Sequence, residues 1–488
     1  MIFNNKTISP SSSFSFPEIG NHTIYFLFEK NISSLKGLFN NNRNIYSISF
    51  TPDFKTENIS DMSSMFYNCD NIISIDLSNF NTRNVIDMSF MFALCDSLIS
   101  LNLLNFNTEK VIYMNNMFNS CYYLTSIDVS NFNTEKVIDM SGMFSFCDNL
   151  VSLDISNFKT ENVKYFINMF FSCSHLTSID VSNFITINAS SFRGMFSDCD
   201  FLTSIELSNF NIQNADDISE MFRGCRFLTS INVSNFNTTN VIYMDELFCE
   251  CNSLTSIDVS NFNTRKVRSL RGLFSDCNSL ISIDITNFNT DNVVYMSWMF
   301  NGCNLLTSIN LSNLNTQNVT DFHFMFASCR NLTSIDVSKF DTRKAEFLSG
   351  MFFNCISLTS IYLSNFITTN VHCIYDMFYN CKSLTSLNLS NFNTEKIDYM
   401  QYMFENCSSL ISLDLSNFKT EKVIYMQEMF YGCSKLKYLD ISAFTYNKSC
   451  DYTNIFYDLP KYGNIIALKN FYEKIKNKFP INWNISLL

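Results

Sequence analysis

Fifteen of the chain's 18 cysteines stand on one ruler. They are Cys69, Cys95, Cys121, Cys147, Cys173, Cys199, Cys225, Cys251, Cys277, Cys303, Cys329, Cys355, Cys381, Cys407 and Cys433, each 26 residues after the last. No insertion or deletion interrupts the step. Such constancy requires equivalent residues to stack, one unit on the next, as in a solenoid. Length alone would suggest about three globular domains for 488 residues, and the repetition overrides that prior. A degenerate copy precedes the ruler, with Leu38 and Phe39 followed by Asn42 in the cysteine slot, and another follows with Ile455 and Phe456. The expected organisation is an N-terminal cap at 1–34, a solenoid of about 16 repeats over 35–457 and a C-terminal cap at 458–488.

One copy shows how a coil is built. In "LTSIDVSNFNTEKVIDMSGMFSFC", Leu124 to Cys147, Ile127 and Val129 alternate with Ser126, Asp128 and Ser130. Period two marks a short strand with one buried side. "NFNTEK" follows, and its Asn and Thr favour a turn through side-chain to backbone hydrogen bonds. Val137, Met140, Phe144 and Cys147 then recur at spacings of three to four, the apolar side of a short helix. The fold class expected is α/β, a solenoid with one short parallel strand and one short helix per 26-residue coil.

The columns name the core. Phe80, Phe106, Phe132 and their successors to Phe444 form one, with Leu314 the single departure; Phe66 to Phe430 form another without departure. Together they hold 29 of the 51 phenylalanines, so the aromatic and Met stripes read as core rather than as a cofactor box. Burying one Phe contributes about 2 kcal/mol, which stacked coils collect and a lone coil cannot. The Asn column (Asn79, Asn105, Asn131) is expected to satisfy backbone groups where the chain leaves the strand. The Thr column (Thr82, Thr108, Thr134) is expected to cap the helix that follows. "NIIALKNFYEKIKNKF", Asn464 to Phe479, reads as a capping helix, with a membrane-surface helix as the alternative.

The phrase C-x-x-L-x-S-L/I-D-L/V-S-N-F-N-T, joined to V-x-x-M-x-x-M-F-x-x-C, resembles the BspA-type leucine-rich repeat, the 26-residue class of bacterial and protist surface proteins. The resemblance covers residues 35 to 457. Leu124, Ile127 and Val129 also supply the general L-x-x-L-x-L, with Phe132 where the usual Asn would stand. It implies a right-handed solenoid with its strands in one parallel sheet, and a surface or secreted protein used in adhesion to host matrix proteins or other cells. An intracellular structural or interaction scaffold is the alternative.

Several function classes lose support. A net charge of −12 disfavours nucleic acid, which asks for a basic stripe, and anionic membranes. No run of 18 apolar residues suggests a membrane span, and the N-terminus does not read as a secretory signal. His22, His175, His323 and His372 share no ligand spacing, and no phosphate-loop or nucleophile-elbow motif occurs. No enzyme, cofactor or metal site is therefore expected. The ruler cysteines read as a buried ladder, with disulfides between adjacent coils and metal binding as alternatives; fifteen free thiols suit a reducing compartment.

Partner-binding residues must be sought on the surface columns. The outward strand column is acidic, with Asp128, Asp154 and Asp180 as examples, and weak cation binding is weighed there against a solvated stripe. Variation concentrates just before the cysteines (Ala93-Leu94, Asn119-Ser120, Arg223-Gly224, Tyr379-Asn380) and in the slot before the first Met. Tyr113, Tyr165, Tyr243, Tyr295, Tyr399 and Tyr425 occupy that slot, on or beside the expected helices. Exposed Tyr is favoured at protein interfaces, so these six are the candidate contact residues for an unidentified protein partner, with drift on a tolerant surface as the competing explanation.

Overall fold

The structure, a computed structural model, describes residues 2–3, 6–7, 24–25 and 32–488. β1 (Ile2–Phe3) lies between β2 (Lys6–Thr7) and β3 (Ile24–Tyr25) in a small antiparallel sheet. The rest of the cap expected at 1–34, up to residue 31, falls outside the described residues, as do His22 and most of the stretch weighed as a secretory signal.

From Ser34 onward the chain is a solenoid. A parallel backbone bridge joins Ser34 to Asp61, Asp61 to Asp87, and so on without a gap to Asp451. The unbroken Phe column is its axis. Seventeen rings, from Phe39 through Phe66 to Phe456, stack with centroids 5.4–6.0 Å apart and planes within 15°. Met, Val, Leu and Cys columns surround it, nearly all fully buried.

The strand limb is as the alternation implies. In β5 (Ser74–Asp76) the middle residue is buried and its neighbours are exposed. Parallel pairs form between β4 (Ser47–Ser49) and β5, between β6 (Ser334–Asp336) and β7 (Ser360–Tyr362), and between β8 (Ser412–Asp414) and β9 (Tyr438–Ile441). Coils between these keep the same in-out alternation without closing the ladder.

The expected helix limb is absent. Lys469–Ile475 (α1) is the one α-helix among the described residues, and it lies beyond the repeats. From Met140 to Cys147 the chain makes a run of tight turns, with Met143, Ser145 and Cys147 amides donating to the carbonyls three residues back at 3.1–3.2 Å. The intervening amides of Met140, Gly142, Phe144 and Phe146 leave the coil and donate to Tyr165, Ile167, Met169 and Phe171 of the next, at 2.7–3.1 Å. Every fourth residue turns left-handed: Gly142 has φ 60° and Phe146 φ 58°. A helix cannot hold positive φ, whereas a tight turn takes it at its third residue. The helical reading failed because turns of four residues also place apolar side chains three and four apart.

Two polar columns therefore have roles other than those of a helical coil. Thr134 caps nothing; its hydroxyl donates to the Lys159 carbonyl at 2.8 Å and accepts the Lys159 amide at 2.7 Å, one coil on. The Thr column is a staple between coils. Asn131 behaves as expected but across coils: its side-chain amide donates to the Leu103 and Phe106 carbonyls at 2.9 and 2.8 Å.

The C-terminal stretch expected as one helix divides in two. β10 (Asn464–Ala467) continues the parallel sheet between β9 and β11 (Asn484–Leu487). α1 then lays Phe471 against Phe444 and Tyr452, and Phe479 covers Phe456 with ring centroids 4.8 Å apart.

Left-handed geometry yields a stability test. Leu94 holds φ 59° and Gly302 φ 70° at the same column, and a Cβ on Gly302 would sit 3.0 Å from the Asp276 Cα. Leu94→Asn is expected to stabilise the array by about 1 kcal/mol and Gly302→Ala to destabilise it by about 1–2 kcal/mol, read from urea midpoints.

Candidate functional site

The strand column carries its acid for the sake of its own turn. Asp128 Oδ1 accepts the Ser130 amide at 3.0 Å and the Ser130 hydroxyl at 2.7 Å; Asp154 holds Ser156 in the same way, and Asp180 accepts the Ser182 amide at 2.9 Å. Asn232, Asn310 and Asn388 take over the role with their side-chain carbonyls. This Asx-turn explains why the column mixes Asp and Asn. The Ser hydrogen bonds hold the Asp128, Asp154 and Asp180 carboxyls below their ordinary range, against a weaker desolvation. Among the described residues no group of three or more His, Cys, Asp or Glu is arranged to hold a metal ion.

The six tyrosines stand on one line, but not on or beside helices. Each occupies the bridge position, where its backbone is tied to the coils before and after. Tyr113, Tyr165, Tyr243, Tyr295 and Tyr425 are 40–49% exposed; Tyr399 is partly covered and stacks on Tyr425 at 5.6 Å. Asp, Ser, Phe347 and Cys373 fill the remaining bridge positions. Asp in this slot caps the following turn, as Asp139 does for the Ser141 amide at 2.9 Å, so the Tyr/Asp alternation exchanges an aromatic surface for a turn cap. The structure gathers the tyrosines in one column and Asp128, Asp154 and Asp180 in another. The variation just before the cysteines is conformational: the last residue of each pair holds the left-handed turn, which favours Asn, Gly and Asp.

The ladder cysteines do more than fill space. Each of the fifteen thiols donates to a Phe carbonyl of the preceding coil, at 3.1–3.3 Å. All 18 cysteines are free thiols, so the disulfide alternative falls. Burial pushes the Cys147, Cys355 and Cys433 thiols up to about 12, which removes the thiolate needed for reaction.

Sequence reasoning missed three surface features. His175, Phe201 and Phe227, two residues past successive ruler cysteines, stack at 5.7 and 5.2 Å with both Phe about half exposed; reading that column down the repeats would have found them. Tyr46, Ile73, Ile99 and Tyr123 line an open apolar cleft of about 450 Å³ on the first coils. Arg223 bridges Asp198, Glu246 and Glu250 at 3.2, 3.1 and 3.0 Å, and Arg226 meets Glu250 at 2.6 Å.

Two edge carboxyls lack a cation. Glu405, 8% exposed, is pushed up to about 7 by burial, with Glu428 and Asp376 adding repulsion; burial lifts Asp376 to about 6. A raised carboxyl stabilises the fold fully below its unfolded value and loses that contribution as pH rises through the folded value. Stability is therefore expected to fall by about 2 kcal/mol from pH 4.5 to pH 8 through this pair. Urea midpoints across that range check it, and Glu405→Gln is expected to remove about half of the slope, leaving the part that burial of Asp376 carries. At pH 8, iodoacetamide with mass spectrometry should find the fifteen ladder thiols unlabelled in the native chain and all 18 labelled in urea.

Comparison with known proteins follows this geometry. The family model described as "Mycoplasma protein of unknown function, DUF285" matches residues 33–150, 120–231, 202–283, 270–384 and 348–471. No curated protein matches the chain. Among solved structures, a leucine-rich repeat protein from Bacteroides ovatus is 16% identical over 95% of this chain and 90% of that one, with a TM-score of 0.33. One from Eubacterium ventriosum is 15% identical over 79% and 87%, with a TM-score of 0.38.

Proposed function

The chain belongs to the family described as Mycoplasma protein of unknown function, DUF285, and we propose that it is a non-enzymatic, protein-binding scaffold of the BspA-like leucine-rich-repeat kind, acting in surface adhesion or cell and host contact. The observation that carries this reading is the tyrosine edge. Five rings 40–49% exposed stand on backbone positions fixed by bridges on both sides. Rigid aromatic side chains lose little conformational entropy on binding and are enriched where proteins meet. The ring face of Tyr425 and the acidic strand column give the array two different sides over about 80 Å of length.

One observation favours a second reading, an intracellular scaffold. Fifteen thiols serve as hydrogen-bond donors inside the core, and an oxidising compartment would threaten each during folding. No helix among the described residues is long and apolar enough to cross a membrane.

Beads coated with the chain, titrated onto cultured host cells, separate the readings. Under the adhesion proposal, Tyr399→Ser with Tyr425→Ser should lower bead retention at least fivefold with an unchanged melting temperature. Equal retention would remove the tyrosine edge from the proposal. If the wild-type chain is not retained, and a membrane-impermeant amine reagent labels it only in lysed source cells, the scaffold reading replaces adhesion.

A further inference from the structure

The turn limb is polar along the solenoid. In fifteen of the sixteen coils that have a successor, four amides at alternate residues donate forward to the next coil; in the other, Glu246, Phe248 and Glu250 do so. The last such set is Met426, Glu428, Phe430 and Gly432, which reach the carbonyls of Asp451, Thr453, Ile455 and Tyr457 at 2.9, 2.9, 3.1 and 3.3 Å. The coil that follows keeps the same turns: Ile455 and Tyr457 amides donate three residues back, and Asn454 and Asp458 hold φ 51° and 59°. Its own forward row, the amides of Tyr452, Asn454, Phe456 and Asp458, has no acceptor among the described residues. β10, α1 and β11 complete the sheet and cover the core beyond it, yet supply no carbonyl to this row.

The cap that lies beside the row is basic, while the chain as a whole is acidic. Residues 459–488 hold Lys461, Lys469, Lys474, Lys476 and Lys478 against Glu473 alone, in a chain of net charge −12. Lys476 and Lys478 are exposed on the short 3-10 turn that leads into Phe479, whose ring rests on Phe456 within the row. Glu428, bonded to the Asn454 side chain, and Asp458 bring opposing charge to the same edge.

We propose that this edge, the Tyr452–Asp458 amide row with Lys476 and Lys478, binds an acidic peptide segment. Alternate backbone amides aimed one way along the turn limb present a row of unpaired donors, as the edge of a sheet does, for the oxygens of an added chain. The spacing selects a peptide over a simple anion, because inside the array the same row meets carbonyls two residues apart along a chain. The lysines add preference for carboxylate side chains. This inference is independent of what the tyrosine edge contacts.

Hydrogen exchange on the full chain tests it, with hexaglutamate as the probe. In the free protein the amides of 454–458 should exchange much faster than their equivalents at 428–432. Hexaglutamate should slow them at least fivefold, with affinity falling as salt rises from 50 to 300 mM. Lys476→Gln with Lys478→Gln should weaken that affinity at least fivefold and leave the melting temperature unchanged, since both side chains are exposed. The proposal is overturned if the row is already protected in the free chain, if hexaglutamate changes nothing, or if inorganic phosphate at matched ionic strength protects the row equally.

Discussion

Every coil is left incomplete by its own residues. Its Phe ring has one face uncovered, its Thr hydroxyl lacks a partner, and four of its amides point away along the axis. Within the array these are answered by the neighbouring coil; at its end Phe479 of the cap covers the last ring. The first step, Phe39 to Phe66, holds 27 residues and still stacks the ring and pairs its four amides, so an extra residue is accommodated where the chain enters the array. Buried groups left unpaired cost about 1–3 kcal/mol each, so the constant step of 26 between the ruler cysteines keeps each ring, hydroxyl and amide row in register with the next.

This dependence explains which parts of the fold were legible in the residues. Stacking was readable from the ruler cysteines, and the buried columns from Phe66 to Phe430 followed. The in-out alternation of Ile127 and Val129 placed the strand limb correctly. The other limb was misread because helices and successive tight turns share one apolar spacing. A discriminating signal was present: eight of the ten glycines hold positive φ, all in the turn limb. Glycine and Asn at such positions weaken a helix but suit a left-handed turn. In the sequence the column reads as surface variation, because Leu94, Phe146 and Glu250 obscure it. Their presence shows that stacking holds even bulky side chains in left-handed geometry.

The candidate surfaces were legible in a different degree. That Tyr113, Tyr165, Tyr243, Tyr295, Tyr399 and Tyr425 share a column followed from spacing alone. Their seat on a backbone bridge did not, since one residue per coil is too short to register as a strand. The acidic column reads as a solvated stripe with weak cation binding as the alternative; its further role as a set of turn acceptors, which is why Asn substitutes for Asp, shows only in the hydrogen bonds. The ion network around Arg223 depends on side chains from several coils and has no periodic trace. It is a partly buried network and not a set of isolated pairs, and it leaves the step of the solenoid unchanged.

The forward direction of the turn-limb amides gives the molecule an arrow. During synthesis the N-terminal coils leave the ribosome first, each presenting donors that only the coil still being translated can satisfy. In the turn limb each coil therefore offers donors to its successor and carbonyls to its predecessor. An array of this design can lengthen by duplication of a 26-residue unit anywhere along it, since an inserted copy receives the donors below and offers an identical row above.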